Sequence, residues 1–265
     1  MKDFLKNSSN KATEIAANFL SPHNIESITK IAYRFSFEKD HTFHNTLFLM
    51  QGNGFYGKVH SDTKKCKNLQ KYVGCSLVDL LNDENHLIRL LALDSIFYFQ
   101  NKKHNKSFYV ESDNIIIKHN KFRSILNKCL TIEQDDKVLI LGADPIIPYL
   151  VYEKTKNIIV TDLSKERIGR HYKIGNSILP IKNAKYNSDY FKKCNLAIVT
   201  GMSFSSNTIN RIIEFKNETR LIFYLVSCAN LARELISTGA EMVISVNFPT
   251  LDMPGKTRID LYNSN

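Results

Sequence analysis

In the second half of the chain, short unbroken apolar runs alternate with helix-length amphipathic stretches. Runs at 137–141, 157–162, 196–200, 220–227 and 241–246 predict strands, and segments 147–154, 206–215 and 230–238 predict helices. Residues 165–170 read as a loop or short helix. Strands that are apolar on both faces and separated by helices predict a parallel sheet with helices on both faces. The first half is mixed. Residues 11–20 predict a helix, 25–34 continue helical and become extended at 35–37, and 46–50 predict a strand. Gly52-Asn53-Gly54 is a turn signal with a return strand at 55–60. Helices are predicted at 75–81, capped by Ser76, and at 85–99, where apolar positions 87, 90, 91, 93, 96 and 97 fit a buried helix. Residues 101–107 read as a loop, 114–118 as extended, and 121–130 as a helix. The fold class is therefore α/β, with a smaller α+β domain over 1–120 and a ligand-binding parallel-sheet domain over 121–265.

Chemistry concentrates where strands end. The stretch KVLILGADPIIPYLVYEKTKNIIVTD (137–162) is the strand, turn, helix and strand that opens a nucleotide-binding α/β fold. Gly142 lets the backbone turn tightly beside a ligand, and Asp162, about 20 positions on, suits a ribose. A full GxGxxG is absent, and Asp144 opposes a pyrophosphate, which counts against a dinucleotide. An acid there favours a ligand with a cationic or neutral group, and S-adenosylmethionine, with its ammonium and sulfonium, is such a ligand. The plain readings are a tight turn for Gly142 and a helix cap for Asp162. The third strand end, TGMSFSSNT (200–208), crowds Thr200, Gly201, Ser203, Ser205, Ser206, Asn207 and Thr208 together, more small polar groups than a helix cap needs.

Other reactive sets are thin. GxSxG is absent, because 201–205 lacks the second glycine. Cys228 has no histidine after it in the chain, the last being His171. His41, His44 and Cys66 are soft metal donors without a helical spacing. Tyr33, Tyr56 and Tyr72 read as core packing. Five scattered cysteines without a CxxC pair predict reduced thiols and a cytoplasmic protein. No apolar run reaches the roughly 18 residues of a membrane span. The net charge is +10. Its densest short groups, Lys64, Lys65 and Lys67, then Lys102, Lys103 and Lys106, lack an aromatic platform, so a solvated surface is the default reading, and a nucleic-acid-associated accessory protein stands as a third alternative on the charge alone.

TGMSFSSNTINRII (200–213) is similar to the TGxTxxNxTxxxxL motif of the Rossmann-like heavy-metal chelation family, and VLILGADPIIPYL with VTDLS fits that family's strand order. GNGFYG, GCSLVDLL and HLIRLLALDSIF resemble its enolase-N-terminal-like partner domain, so the resemblance covers roughly 12–250. It implies an α+β cap with a Rossmann-like domain and a ligand cleft between them. The motif positions carried over are Thr200, Gly201, Ser203, Asn207 and Thr208. The family's Gly-Pro-Ser type turn is Val226-Ser227-Cys228 here. From these readings the chain is expected to be a small-molecule enzyme using S-adenosylmethionine for alkyl or methyl transfer or cyclisation. The ligand contacts would be Gly142, Asp144, Asp162, Thr200, Gly201, Ser203 and Asn207. The alternative is a non-catalytic binding protein for a heavy metal or metal–chelator complex. A homodimer is compatible with either.

Overall fold

A computed structural model describes residues 3–18, 24–38, 41–61, 68–100, 105–216 and 219–264; the side chains of 33–38 and 41–45 are outside the description. The chain forms two compact units. The first comprises residues 1–104, 201–210 and 225–234, and the second comprises 105–200, 211–224 and 235–265. The sequence placed a single boundary after residue 120. The structure assigns 105–120 to the second unit and two short segments of the C-terminal half to the first.

In the first unit, α1 (Phe4–Ala17) begins at Asp3, whose carboxylate accepts the Lys6 N–H. Three antiparallel strands follow, β1 (Ser27–Glu38), β2 (His41–Gly52) and β3 (Phe55–His60). Residues 25–34, read as helical, are strand instead, although 25, 28 and 31 are apolar at a near-helical spacing. Ser27 to Ser36 pair continuously with β2, and this cross-strand partner overrides the local pattern. α2 (Leu77–Leu80) is capped by Ser76, as predicted. α3 (His86–Tyr98) is capped by Asn85 and packs on β3; Ile88, Leu91, Ala92 and Ile96 are wholly buried. A helix apolar on most sides is expected in a core.

In the second unit the sheet contains nine strands, in the order β4-β12-β11-β10-β9-β5-β6-β8-β7. β4 (Lys106–Glu111) leads into α4 (Ile115–Cys129). β5 (Val138–Leu141), α5 (Ile147–Lys154), β6 (Ile158–Asp162) and β9 (Leu196–Thr200) lie where predicted. β10 (Arg220–Leu225) and β11 (Met242–Val246) also match. β10, β9, β5, β6 and β8 run parallel. Asn114 caps α4 by accepting from Ile116 and Ile117, so 114–118 opens a helix rather than an extended piece.

Further elements, like β4, had no strand or helix reading. β7 (His171–Ile174) and β8 (Ser177–Asn183) form an edge hairpin that runs on into α6 (Asn187–Phe191), and β12 (Lys256–Asn263) pairs antiparallel with β11 and β4. The predicted helix 206–215 is the shorter α8 (Ile209–Glu214); an unpredicted α7 (Met202–Ser205) precedes it, and Asn207, where φ is +57°, lies between the two. α9 (Ala232–Ser237) completes the set. No helix among the described residues is long and apolar enough to cross a membrane.

Candidate functional site

In the second unit β5 leads to β6 on one side, while β9 returns on the other side of β5. The carboxyl ends of β5 and β9 therefore form the switch point, where open α/β sheets bind ligands. Gly142 and Thr200 meet there. Gly142 has φ +96°, and a Cβ on it would collide with the Thr200 hydroxyl, which itself donates to the Leu141 carbonyl at 3.0 Å. The close approach that the glycine permits is thus to Thr200.

Asp162 ends β6 and is buried. Its Oδ2 accepts the Ala143 N–H at 2.8 Å and its Oδ1 accepts the Ser164 N–H at 2.7 Å. The Arg167 guanidinium lies 3.3 Å from Oδ2. The carboxylate clamps the β5 turn to the β6 loop. Asp144 is half-buried, and its Oδ1 accepts the N–H groups of Ile146 (2.8 Å) and Ile147 (2.9 Å), which starts α5. No hydrogen bond engages its Oδ2 among the described residues. Burial pushes the Asp144 carboxyl up to about 6, opposed by the Ile147 and Ile146 N–H groups; Asp252 adds to the rise and His119 reduces it. His119 Nε2 sits 2.9 Å from Asp252 Oδ1.

Tyr172 on β7 completes this cluster. Its ring packs edge-on against Tyr149, with centroids 5.8 Å apart, and its buried hydroxyl has no hydrogen-bond partner among the described residues. Burial pushes that phenol well up, and the charges of Asp144, Arg167 and Asp162 also act on it. Arg167, Tyr172, His119 and Asp252 went unread in the sequence. Arg167 and Tyr172 lie on a turn and hairpin with no helical or strand period long enough to recognise, and His119 and Asp252 are 133 positions apart.

Gly201, Ser203 and Asn207 fall in the first unit. Most of the hydroxyls around them fold onto their own backbone. Ser205 donates to Met202 O, Thr208 Oγ1 to Ser203 O, and Ser206 pairs with Thr208. Asn207 supplies the left-handed turn between α7 and α8. Ser203 differs, because its hydroxyl is buried without a partner among the described residues. The same unit holds a wholly buried Lys58 and Asp94. Asp94 accepts the N–H of Lys58 and of Asn230, each at 2.8 Å. Burial lowers the Lys58 ammonium and raises the Asp94 carboxyl, and each charge partly offsets the other's shift. Cys228, beside them, is a buried thiol at φ +53° whose ionisation burial opposes strongly.

Cys75, Cys129, Cys194 and Cys228 are free thiols. No group of three or more His, Cys, Asp or Glu among the described residues could hold a metal ion. The His41 and His44 side chains and Cys66 lie outside the description, as do the Tyr33 side chain and residues 64, 65, 67, 102 and 103. Tyr72 is buried, and Tyr56 packs on Tyr98 at 4.8 Å, so both serve as packing residues.

An open, mostly parallel sheet with its loops gathered at a switch point defines a Rossmann-like α/β protein. Residues 125–248 match the model of the DUF364 family, described as "Putative heavy-metal chelation". A protein of unknown function from the same family, from Desulfitobacterium hafniense, has a similar structure (TM-score 0.58, 10% identity, 96% of this chain and 98% of that one). So does another, also of unknown function, from Pyrococcus horikoshii (TM-score 0.59, 14% identity, 92% and 88%). At these identities the likeness establishes the fold. No curated protein matches the chain.

Proposed function

We propose that the second unit binds a small molecule bearing a cationic group at the carboxyl ends of β5, β6 and β9, and that S-adenosylmethionine is the ligand best matched to it. One observation carries the reading. The first turn, where a dinucleotide would set its pyrophosphate, presents a carboxylate whose Oδ2 is unengaged, and Asp162 and Asp252 are close by. Those acids repel phosphate and attract a sulfonium or ammonium. The Asp162 oxygens already accept the Ala143 and Ser164 N–H groups, so its part is to hold the shape of the turn, and a ribose hydroxyl would share what capacity remains. Transfer from a sulfonium needs mainly orientation, because the leaving group is already activated. That suits a cluster with no nucleophile–base pair.

The family description supports a second reading, a heavy metal or its chelate as the ligand. Calorimetric titration with S-adenosylmethionine, S-adenosylhomocysteine, NAD and Zn²⁺ separates the two. The first reading expects S-adenosylmethionine to bind about tenfold or more tighter than S-adenosylhomocysteine, which lacks the sulfonium charge, and Asp144→Asn to remove most of that difference. Equal affinity for the two ligands, or binding of Zn²⁺ alone, would overturn it.

A further inference from the structure

The net charge of +10 is unevenly distributed. Residues 154–193 hold ten Lys and Arg against three Asp and Glu, a balance of +7 within 40 positions. Eight of the ten are exposed: Lys156, Lys165, Arg170, Lys173, Lys182, Lys185, Lys192 and Lys193. This stretch builds one edge of the nine-stranded sheet, β6-β8-β7, with the 3-10 turn Ala184–Tyr186 and α6 beyond it.

Aromatic rings are set among these charges. Tyr186 is 46% exposed and meets Tyr190 edge-on, with centroids 6.5 Å apart. Lys185 Nζ lies 4.6 Å from the Tyr186 ring centre and Lys182 Nζ 5.4 Å from that of Tyr190. Lys182 and Lys193 both act electrostatically on the Cys194 thiol, so the ends of β8 and α6 converge. One acid, Asp189, interrupts four lysines here. The exposed Tyr186 and the half-buried Tyr190, flanked by lysines, combine two attractions, stacking with any base and charge pairing with the phosphates beside it.

The geometry points to a single-stranded nucleic-acid-binding surface on this edge, with Tyr186 and Tyr190 as the stacking platform and Lys182, Lys185, Lys192 and Lys193 as phosphate contacts. Such a surface tolerates sequence, since every base offers a π face. It is separate from the acidic cluster at Asp144 and does not depend on the ligand proposed there.

The test is fluorescence anisotropy of the full chain with a 5′-labelled 15-mer of deoxythymidine, from 20 to 200 mM salt. Four lysines on four phosphates predict a log–log salt slope of about −3. Tyr186→Ala should weaken binding about 5- to 150-fold, the loss of one stacked base. It should leave heparin binding unchanged, because a polyanion without bases gains nothing from the ring. The pair Lys182→Glu and Lys185→Glu should weaken both. Circular dichroism of each variant should be that of the parent, since the substituted side chains are exposed. No binding at 20 mM salt would overturn the assignment. So would equal loss of heparin and oligonucleotide on Tyr186→Ala, or binding only to vesicles of phosphatidylcholine and phosphatidylserine.

Discussion

Asp94→Ala should be among the most damaging substitutions in the first unit. Asp94 is wholly buried on α3, and its two oxygens receive the backbone N–H of Lys58 on β3 and of Asn230 after β10. Its charge also faces the buried Lys58 ammonium. Removing the carboxylate orphans two buried donors, each at about 1–3 kcal/mol. It also takes the countercharge from a buried cation, at about 3–5 kcal/mol. Lys58 limits that second cost by giving up its proton, and the terms share one cluster, so they do not add in full. A loss of about 4 kcal/mol is the reasoned sum. Urea unfolding followed by circular dichroism measures it, with amide exchange over α3 as a local probe, because two units need not unfold together. Lys58→Met in the Asp94→Ala background should recover part of the loss. A cost under about 1 kcal/mol for Asp94→Ala, or no recovery in the double variant, would refute the account.

Asp144 has a folded-state value of about 6 against an ordinary 3.8, so the native state holds its proton more tightly. Stability should fall as pH rises from about 4 to about 6 and level off above, by at most about 3 kcal/mol, and Asp144→Asn should flatten that slope in urea melts at successive pH values. Gly142→Ala combines φ +96° with a collision on Thr200, so it should cost about 2 kcal/mol or more; chemical denaturation checks this, and Thr200→Ala should relieve part. Tyr172→Phe removes a buried hydroxyl without a partner, so thermal melts should show about 1 kcal/mol of stabilisation. If the hydroxyl serves the ligand, the same variant should weaken S-adenosylmethionine binding in calorimetry.

The parallel core was legible because strands buried on both faces leave unbroken apolar runs that no amphipathic helix imitates. The outer strands were not, because β4, the β7–β8 hairpin and β12 mix charges with apolar positions, although β12 lies inside the sheet between β11 and β4. Residues 25–34 went astray because 25, 28 and 31 satisfy a helical period, while the deciding partner is the next strand, β2, which a local period does not weigh. At the site, Gly142 and Asp162 were placed correctly at their strand ends. That their obvious partners would be Thr200, Ala143 and Ser164 needed the third dimension. Asp94 carried an unread signal. It lies three positions from Leu91 and Phe97 and seven from Leu87, so the period that buries them buries it too. The basic edge escaped notice because short windows register only dense lysine runs, and here strands fold a dilute series onto one edge.

The chain crosses from one unit to the other at Thr200/Gly201, Asn210/Arg211, Tyr224/Leu225 and Glu234/Leu235, besides the passage at residues 104–105. The units therefore cannot be separated with scissors. A fragment ending at residue 104 lacks two ten-residue pieces of its own unit, including the Asn230 that bonds Asp94. A fragment beginning at 105 carries those pieces with nothing to fold against, Cys228 and an orphaned α7 among them. A gene for this architecture cannot arise by joining two finished modules end to end, nor shed one of them later without unravelling the other.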